Sequence, residues 1–372
     1  MTLNGAFSQA PFVRDLAAEA ASGKKALVLA PLGAGKTHML LALRDFLGQD
    51  KAPCAFVDLF TAASTPERLL LALAHAVTPF MEEHARSIAD LTAQGSQDRH
   101  RSSSALLGLL DLIGSREPTL PFVWLVDEVT EIRSLAYFPD LSEVEVPFAH
   151  ALKASRGAVL TSSYLGLAAS LFPDFDRIAL PPLTAPPGHG DTAFGKAVAV
   201  TQGLAATLLP LAAELAGTRG VAASLARLLQ PGGVLELTCR RHYEVLLMRS
   251  RGYAVSKRAA EVVARSRNQR LTDLFPLIGR TAGASRQYLR WLVEVGLLTQ
   301  VKKRYDFADP ILGLWASLYL GRGDHPTEAE IEAAVDVHVD GVAPADPAAS
   351  SGDPGNDGGL PKKRVDRFEE ID

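Results

Sequence analysis

The segment Ala30-Pro31-Leu32-Gly33-Ala34-Gly35-Lys36-Thr37 constrains this chain more than any other. It is a phosphate-loop pattern with alanine in place of the first glycine. Lys25 to Ala30 is short and apolar and reads as a buried strand, and His38 to Leu47 reads as a helix. Strand, glycine loop and helix is the order that phosphate binding needs. Gly33 and Gly35 let the backbone close around phosphate oxygens, and the N–H groups of the loop and of the helix start then point at the anion. Lys36 supplies a positive charge to the β- and γ-phosphates, and the Thr37 hydroxyl is placed to ligate Mg²⁺. Ala30 to His38 is therefore the expected nucleotide-binding stretch, with ATP and Mg²⁺ as its ligands.

A second motif fits the first. Pro121-Phe-Val-Trp-Leu-Val-Asp-Glu128 is an apolar run ending in two carboxylates, the pattern of a buried parallel strand. Ligands of open α/β sheets sit at the carboxyl ends of strands. Asp127 is thus expected beside the loop as a Mg²⁺ partner, and Glu128 as the base that orients or deprotonates the attacking water. Further expected strands are Ala52 to Phe60, Arg156 to Ser163 and Asp176 to Pro182. The alternation with helices implies a parallel sheet. Thr65-Pro66-Glu67 carries the cap and first-turn proline of a helix start, and residues 81 to 117 are helical in pattern, broken by polar residues from Gln94 to Ser104. The strand ending in Thr161-Ser162-Ser163 should lie between the loop strand and the Asp127 strand. Thr161 or Ser162 then reaches the attacking water, unless the run is an ordinary strand-end turn. Arg177 is a candidate finger toward a neighbouring subunit's nucleotide, with a solvated surface charge as the alternative.

Length and charge set the rest. A chain of 372 residues implies two or three domains. Cys54 and Cys239 are too far apart in sequence for a metal or disulfide pattern and read as buried apolar residues in a reducing compartment. No signal-peptide pattern is visible. Ala197 to Ala213, interrupted by Gln202 and Pro210, is too short to span a membrane and reads as a buried helix pair, so a cytoplasmic protein is expected. The net charge of −4 hides an asymmetry. From Asp324 onward thirteen acidic residues face four basic ones, a net of −9; from Arg240 to Tyr305 fifteen Lys and Arg face four acidic residues, a net of +11. A basic module followed by an acidic tail points to an anionic partner.

Within the basic module, Asn268 to Ile278 reads as a helix, Arg280 to Ser285 as a turn, Ser285 to Gly296 as a second helix and Gln300 to Phe307 as a basic hairpin. That order is a winged-helix pattern. Ser285, Arg286, Gln287 and Arg290 would line the exposed side of its recognition helix, and Lys302, Lys303 and Arg304 would lie in the wing near phosphates. Leu289, Leu292 and Val293 would face the core. The partner is double-stranded DNA, or a protein if the module only docks. The Pro/Ala/Ser/Gly/Asp-rich stretch from Ala343 to Gly359 reads as disordered, and Lys362 to Asp372 as a frayed end or a short docking peptide.

Four features together resemble the archaeal-type ATPase family, within the AAA+/STAND group of P-loop NTPases. They are Pro11-Phe12-Val13-Arg14 before the loop strand, Ala30 to Thr37, the Val126-Asp-Glu128 strand end, and Tyr305-Asp-Phe-Ala-Asp-Pro-Ile-Leu-Gly-Leu-Trp315. The chain departs from the family pattern at Gly220-Val-Ala222 and at Thr161-Ser-Ser163. The resemblance implies that Phe12 and Val13 lie on the adenine side of the nucleotide. It also implies an ATP-dependent conformational switch, without saying what is switched. The phosphate loop joined to the +11 module makes double-stranded DNA the expected target; the alternative is a signalling scaffold of the STAND type that binds protein, turns over slowly and assembles as a homo-oligomer. The expected architecture is α/β: a P-loop ATPase core over 1–185, a helical lid over 186–239, a winged helix over 240–323 and a disordered acidic tail over 324–372.

Overall fold

The computed structural model describes residues 9–97, 99–115, 120–185, 192–215, 217 and 220–341. The N-terminal part runs α1 (Ala10–Ala21), β1 (Lys25–Leu29), α2 (Lys36–Gln49), β2 (Cys54–Asp58), α3 (Leu59–Ala62), α4 (Pro66–Val77), α5 (Ala85–Gln97), α6 (Arg99–Gly114), β3 (Leu120–Asp127), α7 (Glu145–Lys153), β4 (Ser155–Ser162), α8 (Leu165–Leu171) and β5 (Asp176–Ala179). Its five strands are all parallel, in the order β2-β3-β4-β1-β5. The β4 strand lies between β1 and β3, as its place in the sequence implied. Thr65 caps α4 through its hydroxyl, which accepts from the Arg68 N–H, with Pro66 in the first turn. The sheet is apolar on both faces because helices cover both. Leu27, Val57, Trp124 and Leu160 pack with α4, α6 and α7 residues on one side. Val28, Val123, Leu125 and Val159 meet Val13 and Leu16 of α1 and Leu40 and Leu43 of α2 on the other.

Four helices follow: α9 (Ala193–Thr201), α10 (Ala205–Leu215), α11 (Val221–Leu229) and α12 (Val234–Arg249). The apolar stretch from Ala197 to Ala213 is indeed a helix pair, and among the described residues no helix is long and apolar enough to cross a membrane. The remaining elements are α13 (Tyr253–Arg265), β6 (Gln269–Arg270), α14 (Leu271–Ile278), α15 (Ala282–Glu294), β7 (Leu298–Val301), β8 (Arg304–Phe307), α16 (Pro310–Tyr319) and α17 (Glu328–Asp340). The last three strands form an antiparallel sheet in the order β6-β8-β7.

The structure corrects several expected boundaries. No domain edge falls at 239/240, because α12 runs through it and one apolar core joins Leu208 and Leu225 to Tyr243, Ala259, Leu289 and Trp315. The acidic segment does not begin as a disordered tail at 324. Thr327 and Glu330 form a reciprocal capping box, and Ile331 and Val335, one turn apart, are buried in that same core. Burying two such side chains is worth about 1.5–3 kcal/mol each, which the −9 charge count concealed. Ala343 to Gly359, Lys362 to Asp372 and residues 186–190, the start of the expected lid, lie outside the described residues. Asn268 does not start a helix: it sits at φ +57°, Gln269 and Arg270 pair with β8, and the helix begins at Leu271. Arg280 to Ser285 is not all turn either, since the Thr281 hydroxyl accepts from the Ala284 N–H and starts α15 at Ala282. Ser285 therefore lies within the first turns of the helix and is fully buried, not on its exposed side.

Candidate nucleotide site

The loop between β1 and α2 takes the shape its glycines permit. Gly33 at φ +80° and Gly35 at φ +98° occupy the left-handed region, and Gly35 is the residue from which α2 starts. The first N–H groups of that helix have no partner within it, so they form an anion-binding end. Lys36 folds back over the loop. Its ammonium donates to the carbonyls of Ala30 at 3.2 Å and Pro31 at 3.1 Å, and lies 3.1 Å from Glu128 Oε1. The two side chains are 4% and 10% exposed, so this is a buried ion pair.

The carboxyl end of β3 supplies the acidic half. Thr37 Oγ1 donates to Asp127 Oδ2 at 2.5 Å, and Thr161 Oγ1 donates to the other carboxylate oxygen. Burial pushes the Asp127 carboxyl above its usual range, while the two hydroxyl donors pull it back in part. Glu128 stands at φ +49°, ψ +53°, a left-handed conformation that costs a non-glycine residue about 1–3 kcal/mol. That turn swings its side chain across the sheet end. Oε1 meets Lys36, and Oε2 accepts from the Ser163 N–H at 2.9 Å and the Ser163 hydroxyl at 2.8 Å. Burial alone would raise its pKa; the Lys36 charge and the Ser163 donors outweigh burial and hold it below the usual range. Glu128 is therefore an anion at neutral pH.

The two expected water-orienting hydroxyls are spent elsewhere. Thr161 donates to Asp127 and accepts from the Glu128 N–H at 3.1 Å, so it fixes the two acids rather than facing open space. Ser162 pairs with the Thr130 hydroxyl at 3.0 Å and accepts from the Tyr164 N–H. Arg177 is exposed in the edge strand β5, opposite Leu27, and donates to the Ala169 carbonyl at 3.1 Å; it is not gathered with the other site residues. Val13 is buried in the core under α1 and α2, Phe12 beside it is half-buried, and His38 is exposed on the first turn of α2.

Three residues near the loop gave no signal in the sequence. The Ala206 N–H of α10 donates to the Gly33 carbonyl at 2.9 Å. His242 of α12 lies on the same glycine: a Cβ there would stand 2.7 Å from its Cε1 and 2.7 Å from Ala206 Cβ. Burial, then the charges of Arg241 and Lys36, lower the His242 pKa to about 4, so the ring is neutral. Arg249, at the last turn of α12, donates to the Ser163 hydroxyl at 2.8 Å and to Glu131 at 2.6 Å. The two Arg249 contacts join residues 86 and 118 apart in sequence, and the contacts on Gly33 join residues further apart still, all beyond the reach of any local pattern. Ser163 was legible as the end of a hydroxyl run, one residue past the two chosen.

The basic residues expected to contact DNA divide within the C-terminal unit, the elements from α13 to α17. Arg286, Lys302 and Lys303 are exposed, the lysines at the left-handed turn between β7 and β8. Gln287 is half-buried. Arg290 is exposed but paired with Glu294 at 2.8 Å, and Arg304 donates to the Asn268 carbonyl at 2.8 Å. Leu289 and Leu292 are buried and Val293 partly so.

No protein-family model and no curated protein matches this sequence. Among solved structures, the Walker-type ATPase PABY2304 of Pyrococcus abyssi aligns with a TM-score of 0.57 and 16% identity, over 83% of this chain and 95% of that one. The replication initiator DnaA bound to AMPPCP and single-stranded DNA aligns at a TM-score of 0.31 and 12% identity, over 75% and 85% of the two chains. AMPPCP-bound DnaA from Aquifex aeolicus gives 0.28 and 13%, over 76% and 86%. The parallel order of the sheet, the loop after its first strand and the alignment with the Pyrococcus protein together make this an α/β P-loop fold, similar to that of the Pyrococcus ATPase.

Proposed function

We propose that this chain is a Mg²⁺-dependent ATPase that works as a conformational switch and regulates engagement of double-stranded DNA. The observation that carries this reading is the meeting of Lys36, Thr37, Asp127 and Glu128 at one end of the sheet. A triphosphate has more negative charge than a carboxylate, so its β- and γ-phosphates compete with Glu128 for Lys36. Thr37 and Asp127 offer Mg²⁺ a hydroxyl and a carboxylate, hard oxygen donors of the kind the ion takes beside substrate phosphates and water. When bound, the ion neutralises charge developing on the phosphates. Glu128, released from Lys36, loses the charge that most depresses its pKa and becomes a better base for the attacking water. Thr161 holds Asp127 in place throughout.

The DNA half of the reading rests on the order α13-β6-α14-α15-β7-β8, which we take as a winged helix with α15 as its recognition helix. Arg286, Lys302 and Lys303 are its phosphate contacts, with Gln287 and Arg290 beside them. Ser285 takes no part because it is buried. A protein partner for the same face is the second reading, favoured by the engagement of Arg290 with Glu294 and of Arg304 with a carbonyl, which thins the positive surface. Steady-state ATP hydrolysis at low salt, with and without double-stranded DNA, tests the proposal. Stimulation by DNA is expected. Turnover and DNA affinity that ignore each other in every nucleotide state overturn the DNA half in favour of a protein partner.

A further inference from the structure

The phosphate loop and the C-terminal unit are joined by an unbroken polar chain. Lys36 meets Glu128 Oε1, Glu128 Oε2 accepts from the Ser163 hydroxyl, and that hydroxyl accepts from Arg249 Nη1. The Ser163 oxygen gives its one proton to Glu128 and takes one from Arg249, so the chain has a fixed direction. Arg249 is itself clamped: its other nitrogen holds Glu131 at 2.6 Å, its guanidinium lies 4.7 Å from the Tyr164 ring centroid, and its side chain is only 10% exposed. An arginine at a helix C-terminus is favourable wherever it sits, but that does not explain a forked grip on two residues of another part of the fold.

The helix that carries Arg249 is the element shared by lid and C-terminal unit. Tyr243, Leu246 and Leu247 of α12 are buried with Ala259 and Ala260 of α13, Leu289 and Leu292 of α15 and Trp315 of α16. Tyr243 and Trp315 have ring centroids 5.5 Å apart. Arg249 is followed by Ser250 to Gly252 and then by α13. His242, about two turns before Arg249 and so on a similar face, rests on Gly33. One helix thus touches the loop at one point and the strand ends at another, and packs against the elements that position α15.

We propose that Arg249 is a positioning residue that ties the placement of Glu128 to the packing of the C-terminal unit. While Glu128 sits on Lys36, Arg249 holds Ser163 and α12 is anchored to the core. A phosphate that takes Lys36 leaves Glu128 held by Ser163 alone; when Glu128 then turns toward the attacking water, the Ser163 hydroxyl is free to reorient and the anchor of α12 loosens. The inference rests on the switch proposed above and names its transmitting residue. It makes Arg249 a competitor of nucleotide, since the grip on Ser163 favours the arrangement in which Lys36 is already paired.

Arg249→Ala, Arg249→Lys and the wild type are compared in two measurements: ATP affinity in Mg²⁺, and amide hydrogen exchange across α12 to α15 with and without Mg-ATP. In the wild type, ATP speeds exchange in these helices. In Arg249→Ala they already exchange at the ATP-bound rate and ATP adds nothing, while ATP binds about threefold to tenfold tighter, at the lower end of ordinary coupling strengths. Arg249→Lys keeps the charge without the fork and falls between. A purely structural role predicts weaker ATP binding instead. If Arg249→Ala does not fold, Ser163→Ala cuts the same link and keeps the N–H that holds Glu128. Transmission that survives in these variants as in the wild type overturns the role of Arg249 alone. ATP that binds the wild type without changing α12 to α15 overturns the switch as well.

Discussion

The buried pair Lys36–Glu128 gives a sharp energetic prediction. At 3.1 Å, and with an effective dielectric of about 20, the gross attraction is about 5 kcal/mol. The net value is smaller, because both charges were taken from water. Removing one partner of a buried pair costs about 3–5 kcal/mol, most of it from the charge left behind. Here each survivor keeps other partners: Glu128 retains the Ser163 N–H and hydroxyl, and Lys36 retains the Ala30 and Pro31 carbonyls. Both Lys36→Met and Glu128→Gln should therefore fall at or just below the lower end, about 2–3 kcal/mol each. The double variant, which leaves no orphan charge, should cost about 2 kcal/mol rather than their total, a coupling of about 3 kcal/mol. Urea unfolding of all four proteins without nucleotide, followed by circular dichroism and tryptophan fluorescence, measures it. Because the Glu128 pKa is lowered on folding, its contribution is complete above the unfolded carboxyl value of 4.5 and is lost as pH falls through the folded value. Costs that add to within about 0.5 kcal/mol at neutral pH would refute the idea that the two side chains hold each other.

Two further outcomes follow from other residues. Asp309 is buried, caps α16 through the Ile311 and Leu312 N–H groups, and has a pKa raised by burial from 3.8 to about 6 despite those donors. A raised carboxyl contributes most below pH 3.8 and loses that contribution as pH rises through 6, so the wild type should lose ~2.5 kcal/mol relative to Asp309→Asn between pH 4 and 8, read by urea unfolding; a pH-independent difference refutes the burial argument. If Lys302 and Lys303 contact DNA phosphates, replacing both with glutamine should weaken binding about equally for all sequences and reduce the slope of log affinity against log salt by about 2, whereas an unchanged slope in fluorescence anisotropy removes them from the interface.

How much of this was legible in the sequence depends on the range of each interaction. The loop, the Asp127–Glu128 strand end and the Thr65-Pro66 helix start are local patterns, and the structure has them where the residues indicated. Even the central place of β4 followed from the order of strands and helices. The acidic count from Asp324 onward misled because composition averaged over Ile331 and Val335, whose one-turn spacing and Thr327–Glu330 cap are the signals that matter. Ser285 was misplaced by three residues of helix start: with the cap at Thr281, its side chain turns inward. The partners of Glu128 were beyond reach. Nothing near Arg249 marks it as a neighbour of Ser163, and the left-handed backbone of Glu128, which aims its carboxylate at Lys36 and Ser163, is imposed by tertiary contacts rather than by residue type.

Hydrolysis of Mg-ATP by the wild type beside Lys36→Ala and Glu128→Gln tests the central claim most directly. The account predicts turnover in the wild type, no nucleotide binding by Lys36→Ala, and ATP binding by Glu128→Gln with turnover reduced at least about a hundredfold, the usual worth of a positioned base. Lys36→Ala that binds ATP as the wild type does, or Glu128→Gln that turns it over at the wild-type rate, would contradict it.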